Sequence, residues 1–184
     1  MPYTRDGLYT YDGKPGWTVD VGSRLDQTAF HEAAHAVLGT RDGWTVHEIS
    51  ITPDQHSLGW VSFGPEARHQ DPRERDREAF RELLDSSREL TEAQYAKLRR
   101  AIHTSLAGPL AASRLSGGPP HWGTDRGRAI LMIRIYAAWD WQRMRHFLRQ
   151  EQATVAARLR DPKVWEEVTG LAGTLLGRSH STIA

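Results

Sequence analysis

The chain has 184 residues, 39% hydrophobic and 26% charged, with a net charge of +1 and no cysteine. One sizeable core with a small appendage fits this length, whereas two independent catalytic domains do not. The balanced charge gives no global basic field of the kind that marks nucleic-acid or anionic-membrane binding. The absence of thiols restricts any metal site to histidine and carboxylate ligands, and the cytoplasm is the favoured compartment.

Residues 1–23 combine Gly7, Gly13, Gly16 and Gly22 with Tyr3, Tyr9, Tyr11 and Trp17. This pattern predicts an arm that packs on the single domain of residues 24–184. Arg5 and Asp6 with no apolar run behind them do not read as a secretory signal. The longest apolar run, Ala129 to Trp139, is interrupted by Arg134, so no membrane span is expected. Asp26 or Thr28 is suited to cap a short helix that runs to about Leu38 and stops at Gly39. Alternation over Thr45 to Thr52 predicts a strand, Leu58 to Phe63 a second, and the short connection an antiparallel pair. Gly59 marks a bulge or a close backbone approach.

The charged stretch from Asp71 to Leu90 reads as a solvated surface helix within an insertion at about 66–94, because acids interleave its arginines. Thr91-Glu92 opens a helix carrying Tyr95, Leu98, Ile102, Leu106, Leu110 and Leu115 on one stripe, with a kink expected at Gly108-Pro109. After the loop Ser116 to Pro120, Ile130, Ile133, Ala137, Trp141, Met144 and Leu148 recur at steps of three and four. The tail from Glu151 reads as one or two further helices, the second starting at Asp161-Pro162 and ending at Gly177.

The chemistry resides in His31-Glu32-Ala33-Ala34-His35. On a helix, residues four apart share a face, so both imidazoles reach one metal ion, and Glu32 is placed to act as general base on a metal-bound water. A third ligand is required. The spacing that adds a glycine and a further histidine fails, because Leu38 and Arg41 occupy those positions. Glu48, Glu66, Glu74, Glu166 and Asp125 remain, and Asp125, after the loop and at the start of a helix, reads first as an N-cap and second as a ligand. His121, four residues before Asp125, is a candidate oxyanion donor against an ordinary loop histidine. His47 and His56 flank the strand pair and read as surface or cleft-edge residues, and Trp60, Trp122, Trp139 and Trp141 read as packing residues.

Thr28 to Ala36, Val46 to Pro53, Leu58-Gly59-Trp60-Val61, Leu106-Ala107-Gly108 and Gly123-Thr124-Asp125 together resemble the peptidase domain of the FtsH-type ATP-dependent zinc metalloproteases, over roughly residues 24 to 176. The resemblance implies a zincin-like α+β, mainly α-helical domain with a small antiparallel strand pair and a C-terminal helical bundle. It implies Zn2+ held by His31, His35 and Asp125, Glu32 as base, and a substrate strand pairing beside Leu58, Gly59, Trp60 and Val61. The sequence departs from the family in three respects: it carries no phosphate-binding glycine loop, it has Ala34 where the family has glycine, and it has Ala112-Ser113 where the family has acidic residues.

The expected activity is that of a zinc metalloendopeptidase acting on peptides or unfolded segments, delivered by a separate ATPase or partner where substrates are folded. The competing expectations are a catalytically silent zinc-binding scaffold that holds a protein partner, and a hydrolase of a non-peptide amide. Nucleic-acid and membrane partners are not expected, and the sequence carries no signal for oligomeric state.

Overall fold

The computed structural model describes residues 21–53, 58–63, 90–121, 123–136 and 140–180. In chain order these form α1 (Val21–Arg41), β1 (Glu48–Ser50), β2 (Trp60–Ser62), α2 (Glu92–Ser116), α3 (Gly123–Tyr136), α4 (Trp141–Arg160) and α5 (Pro162–His180). The described part is thus mainly helical with one two-stranded antiparallel sheet, the α+β class expected. The arm as far as residue 20, and the charged helix with most of the 66–94 insertion, lie outside the described residues.

Helix α1 begins earlier and ends later than its capping signals suggested, taking in the last residues assigned to the arm. Thr28 is no cap: its hydroxyl donates back to the Arg24 carbonyl one turn earlier, at 2.9 Å. Gly39 does not stop the helix either. A Cβ there would lie 2.5 Å from the Phe63 ring, so this glycine makes room for an aromatic side chain. The turn is made at Gly43, whose φ of 87° is left-handed.

The two strands are shorter than the alternation suggested, three residues each, with Glu48 opposite Ser62, Ile49 opposite Val61 and Ser50 opposite Trp60. Both pack on α1.

Helix α2 follows its sequence signals closely. The Thr91 hydroxyl accepts from the Gln94 backbone while the Gln94 side chain accepts from the Thr91 backbone, a complete capping box, and Gly117 closes the other end at φ 68°. The Gly108-Pro109 step lies inside a helix that continues to Ser116. The apolar stripe expected to continue from Ile130 to Leu148 is divided between α3 and α4, because Asp140 caps a new helix by accepting from Gln142 N and Arg143 N. In α5, Pro162 occupies the first turn as expected, but Gly177 lies within the helix, in open space.

Helix α2 is the hub, packing on α1, α3 and α4, while α5 packs on α1 and α4. The core joins Ala29, Ala33 and Leu38 of α1 to Leu98, Ile102, Leu106 and Ala111 of α2, to Met132 and Ile133 of α3, and to Val155, Leu159 and Val168 of the last two helices. Small residues on α1 allow α2 to approach closely. Trp141, read as a packing residue, is 61% exposed with Arg145 over its ring.

A second polar cluster fastens these helices together. Glu151, with no exposed surface, pairs with Arg99 and His103 of α2, and Arg158 grips Asp42 through two bonds of 2.8 and 3.0 Å. Arg158 Nη1 also lies 3.4 Å from His103 Nδ1. A guanidinium only donates, so Nδ1 accepts and His103 Nε2–H donates to Glu151. Among the described residues, no helix is long and apolar enough to cross a membrane.

Candidate metal centre

Residues 31 and 35 are one turn apart on α1, and the structure brings their Nε2 atoms to 3.0 Å from each other, with the rings edge to face. His35 Nδ1 donates to the Thr104 carbonyl of α2 at 2.6 Å, which fixes its tautomer and turns the Nε2 lone pair inward. Asp125 sits in the first turn of α3 with Oδ2 at 2.9 Å from His31 Nε2 and 3.5 Å from His35 Nε2. Its carboxylate therefore faces the histidines across a sequence separation of 94 residues.

His31, His35 and Asp125 thus form a group able to hold a metal ion. Tetrahedral coordination with bonds of about 2.0–2.1 Å requires ligand atoms roughly 3.3 Å apart, and the three separations of 2.9, 3.0 and 3.5 Å bracket that value. Two imidazole nitrogens in such contact need either a hydrogen on one of them or a metal ion between them.

Two glycines create the space. A Cβ on Gly108 of α2 would lie 2.6 Å from His31 Nε2 and closer still to His35 Nε2, so only glycine lets α2 pass the imidazoles at this distance. A Cβ on Gly59, just before β2, would meet Glu32 Cγ, Thr28 Cγ2 and the Ser50 carbonyl at 2.8 Å each. Gly59 is therefore the close backbone approach, and the residue it approaches is Glu32.

The electrostatics follow from burial. Glu32 is only 6% exposed, and this desolvation raises its carboxyl above the ordinary range against the opposing pull of His31 and His35. Burial opposes the charging of His35, but Asp125 outweighs it and raises the imidazole to about 9. Burial likewise opposes the charging of Asp125, which the two histidines hold well below the usual carboxylate range.

The other nominated residues are placed less centrally. Leu58 is exposed, while Gly59, just before β2, and Trp60 and Val61 on it are half-buried. His121 is exposed in the loop before α3, outside the metal-ligand group. Glu48 lies on β1 and Glu166 is exposed on α5, both outside the group; Glu66 and Glu74, like His56, His69, Trp122 and Trp139, fall outside the described residues. Ala112 is buried, and Ser113 donates its hydroxyl to the Gly118 carbonyl at 2.6 Å.

Sequence reasoning missed Arg128, whose Nη1 is 3.9 Å from Asp125 Oδ1 and whose charge also acts on Glu32. Its signal was its position, three residues after Asp125 on the same helix face. It also passed over His103, which is buried against Glu151.

A scan against protein-family models and a search of curated proteins each find no match for this chain.

Proposed function

We propose that the chain is a zincin-type metallopeptidase, with Zn2+ held by His31, His35 and Asp125 and Glu32 as general base, acting on peptides or unfolded protein segments. The observation that carries this reading is the convergence of three ligand atoms beside a buried glutamate that lies outside the ligand group. A site built only to stabilise a fold has no use for a carboxylate of raised proton affinity at that position.

When bound, zinc supplies Lewis acidity that polarises a carbonyl and acidifies water. The chain's own residues do the rest. Thr104 holds His35 in the ligating tautomer, and Gly108 lets both rings occupy their positions. Glu32 takes the proton from the attacking water and passes it to the departing amine, a task suited to a carboxyl whose proton affinity burial raises. An extended substrate adds beside β2, where the glycine step brings the strand to Glu32.

The test is metal analysis together with Glu32→Gln. The variant is expected to retain one equivalent of zinc and lose hydrolysis of an unfolded-protein or peptide library by about 10²-fold or more. Stoichiometric zinc with no turnover by the wild-type chain would favour the scaffold reading. Turnover of amide metabolites but not peptides would favour the non-peptide hydrolase.

A further inference from the structure

The turn that ends α1 meets α2 in a recess separate from the metal-ligand group. It is lined by Asp42, Gly43 and Trp44 of the turn and by Lys97 and Arg100 of the helix. Asp42 lies about two turns beyond His35, roughly 10 Å along the helix axis. Lys97 and Arg100, three residues apart, share one face of α2. Arg100 Nη1 donates to the Asp42 carbonyl at 3.3 Å and so holds the turn against the helix.

Two features of the lining call for an acceptor. The indole Nε1 of Trp44 is the one buried side-chain nitrogen or oxygen that has no hydrogen-bond partner among the described residues. An indole N–H only donates, so its partner must bring a lone pair. The charges call for the same thing. Both carboxylate oxygens of Asp42 are engaged by Arg158, at 2.8 and 3.0 Å, so the acid of the lining is already balanced. Lys97 forms no ion pair among the described residues, and Arg100 there donates only to a neutral carbonyl. The lining thus presents two cations and one neutral N–H. A dianionic oxyanion matches both cations, whereas a carboxylate matches only one.

We propose that this recess binds a phosphate dianion through Lys97, Arg100 and the Trp44 indole. The site does not depend on the chemistry at the metal centre and stands or falls apart from the peptidase reading. The phosphoryl group is either the free ion or part of an ester, and two probes separate these sources.

The zinc-loaded full chain is titrated by calorimetry with inorganic phosphate, phenyl phosphate and acetate. Ionic strength is held constant, at about pH 8, where a phosphate monoester is a dianion. Both phosphates are expected to bind at least about tenfold more tightly than acetate. An affinity for inorganic phosphate equal to or above that for phenyl phosphate identifies the free ion, and the reverse order identifies the ester. Lys97→Gln and Arg100→Gln are each expected to weaken phosphate by about tenfold, while Lys97→Arg stays within about threefold of the parent chain.

The indole reports where the anion sits. Trp44→Phe keeps an aromatic ring in place, and the indole N–H resonance that it removes identifies Trp44 among the seven tryptophans. In the parent chain that resonance is expected to move as phosphate saturates. Acetate bound as tightly as phosphate, or no binding of either phosphate, would overturn the proposal. If phosphate affinity is unchanged in both glutamine variants, the metal takes the anion and the proposal falls. If the affinity depends on Lys97 and Arg100 while the Trp44 resonance stays still, the anion sits on the outer face of α2 and the recess is not its site.

Discussion

The protons on His35 and Asp125 set how the centre responds to pH. In the metal-free chain, His35 is raised from 6.5 to about 9, so its contribution to stability is complete below pH 6.5 and fades as pH rises towards 9. Asp125 is depressed, so its contribution is present above its free value of 3.8 and is lost as pH falls further. A metal must displace the His35 proton, so zinc affinity is expected to rise about tenfold per unit between roughly pH 7 and 9, measured by competition with a chelator of known affinity. Gly108→Ala tests the space around the same atoms. Its methyl would fall within 2.6 Å of His31 Nε2, and zinc affinity is expected to drop by at least about tenfold in the same competition assay. At this scale the sequence was legible where chemistry follows from local spacing: His31, Glu32 and His35 declare themselves on any helix. Asp125 was not separable from an N-cap by its neighbours, since both roles place an aspartate at a helix start, and only the His31 contact across the fold distinguishes them. His103 carries no local signal, because its partner Glu151 is supplied by packing, whereas Arg128 is marked only by its place three residues after Asp125.

Elements were legible where their ends are closed by side chains near in sequence, as in α2 with its Thr91–Gln94 box. They were misread where a glycine or an aspartate served a distant partner or broke a pattern. Gly39 has the composition of a helix stop, yet its hydrogen side accommodates Phe63. Asp140 divides an unbroken apolar stripe into two helices, a division that periodicity alone does not reveal. The strand pair was correctly oriented but overextended, because alternation marks the side chains that can pair and not those with a partner opposite. The register of that pair relative to α1 is itself testable. In Gly59→Ala the added carbon meets Glu32, Thr28 and Ser50 together, so β2 must move away from the helix. Peptide hydrolysis is expected to fall by about tenfold or more while bound zinc stays at one equivalent, a split read from paired activity and metal assays.

Across the whole molecule, α2 connects two polar centres. Thr104 orients His35, while His103, the preceding residue, is bonded to the buried Glu151 of α4. Glu151→Ala strands His103 and one face of Arg99 without their acid, and the chain is expected to lose about 3 kcal/mol of stability in denaturant unfolding. The general class, helices with a small antiparallel sheet, followed from composition and pattern. The assignment of α2 as the hub did not, because which apolar stripes face one another is a property of the assembled core. The position of Asp125 carries a consequence of another kind. Bound metal would tie residue 31 to residue 125, a loop of more than ninety residues, in a chain with no cysteine to form a covalent tie. Such a tie removes conformations from the unfolded chain much as a disulfide does, but it opens and closes with the supply of metal ion instead of with redox potential. The same ion that equips the site for chemistry would therefore also serve as the fold's reversible cross-link.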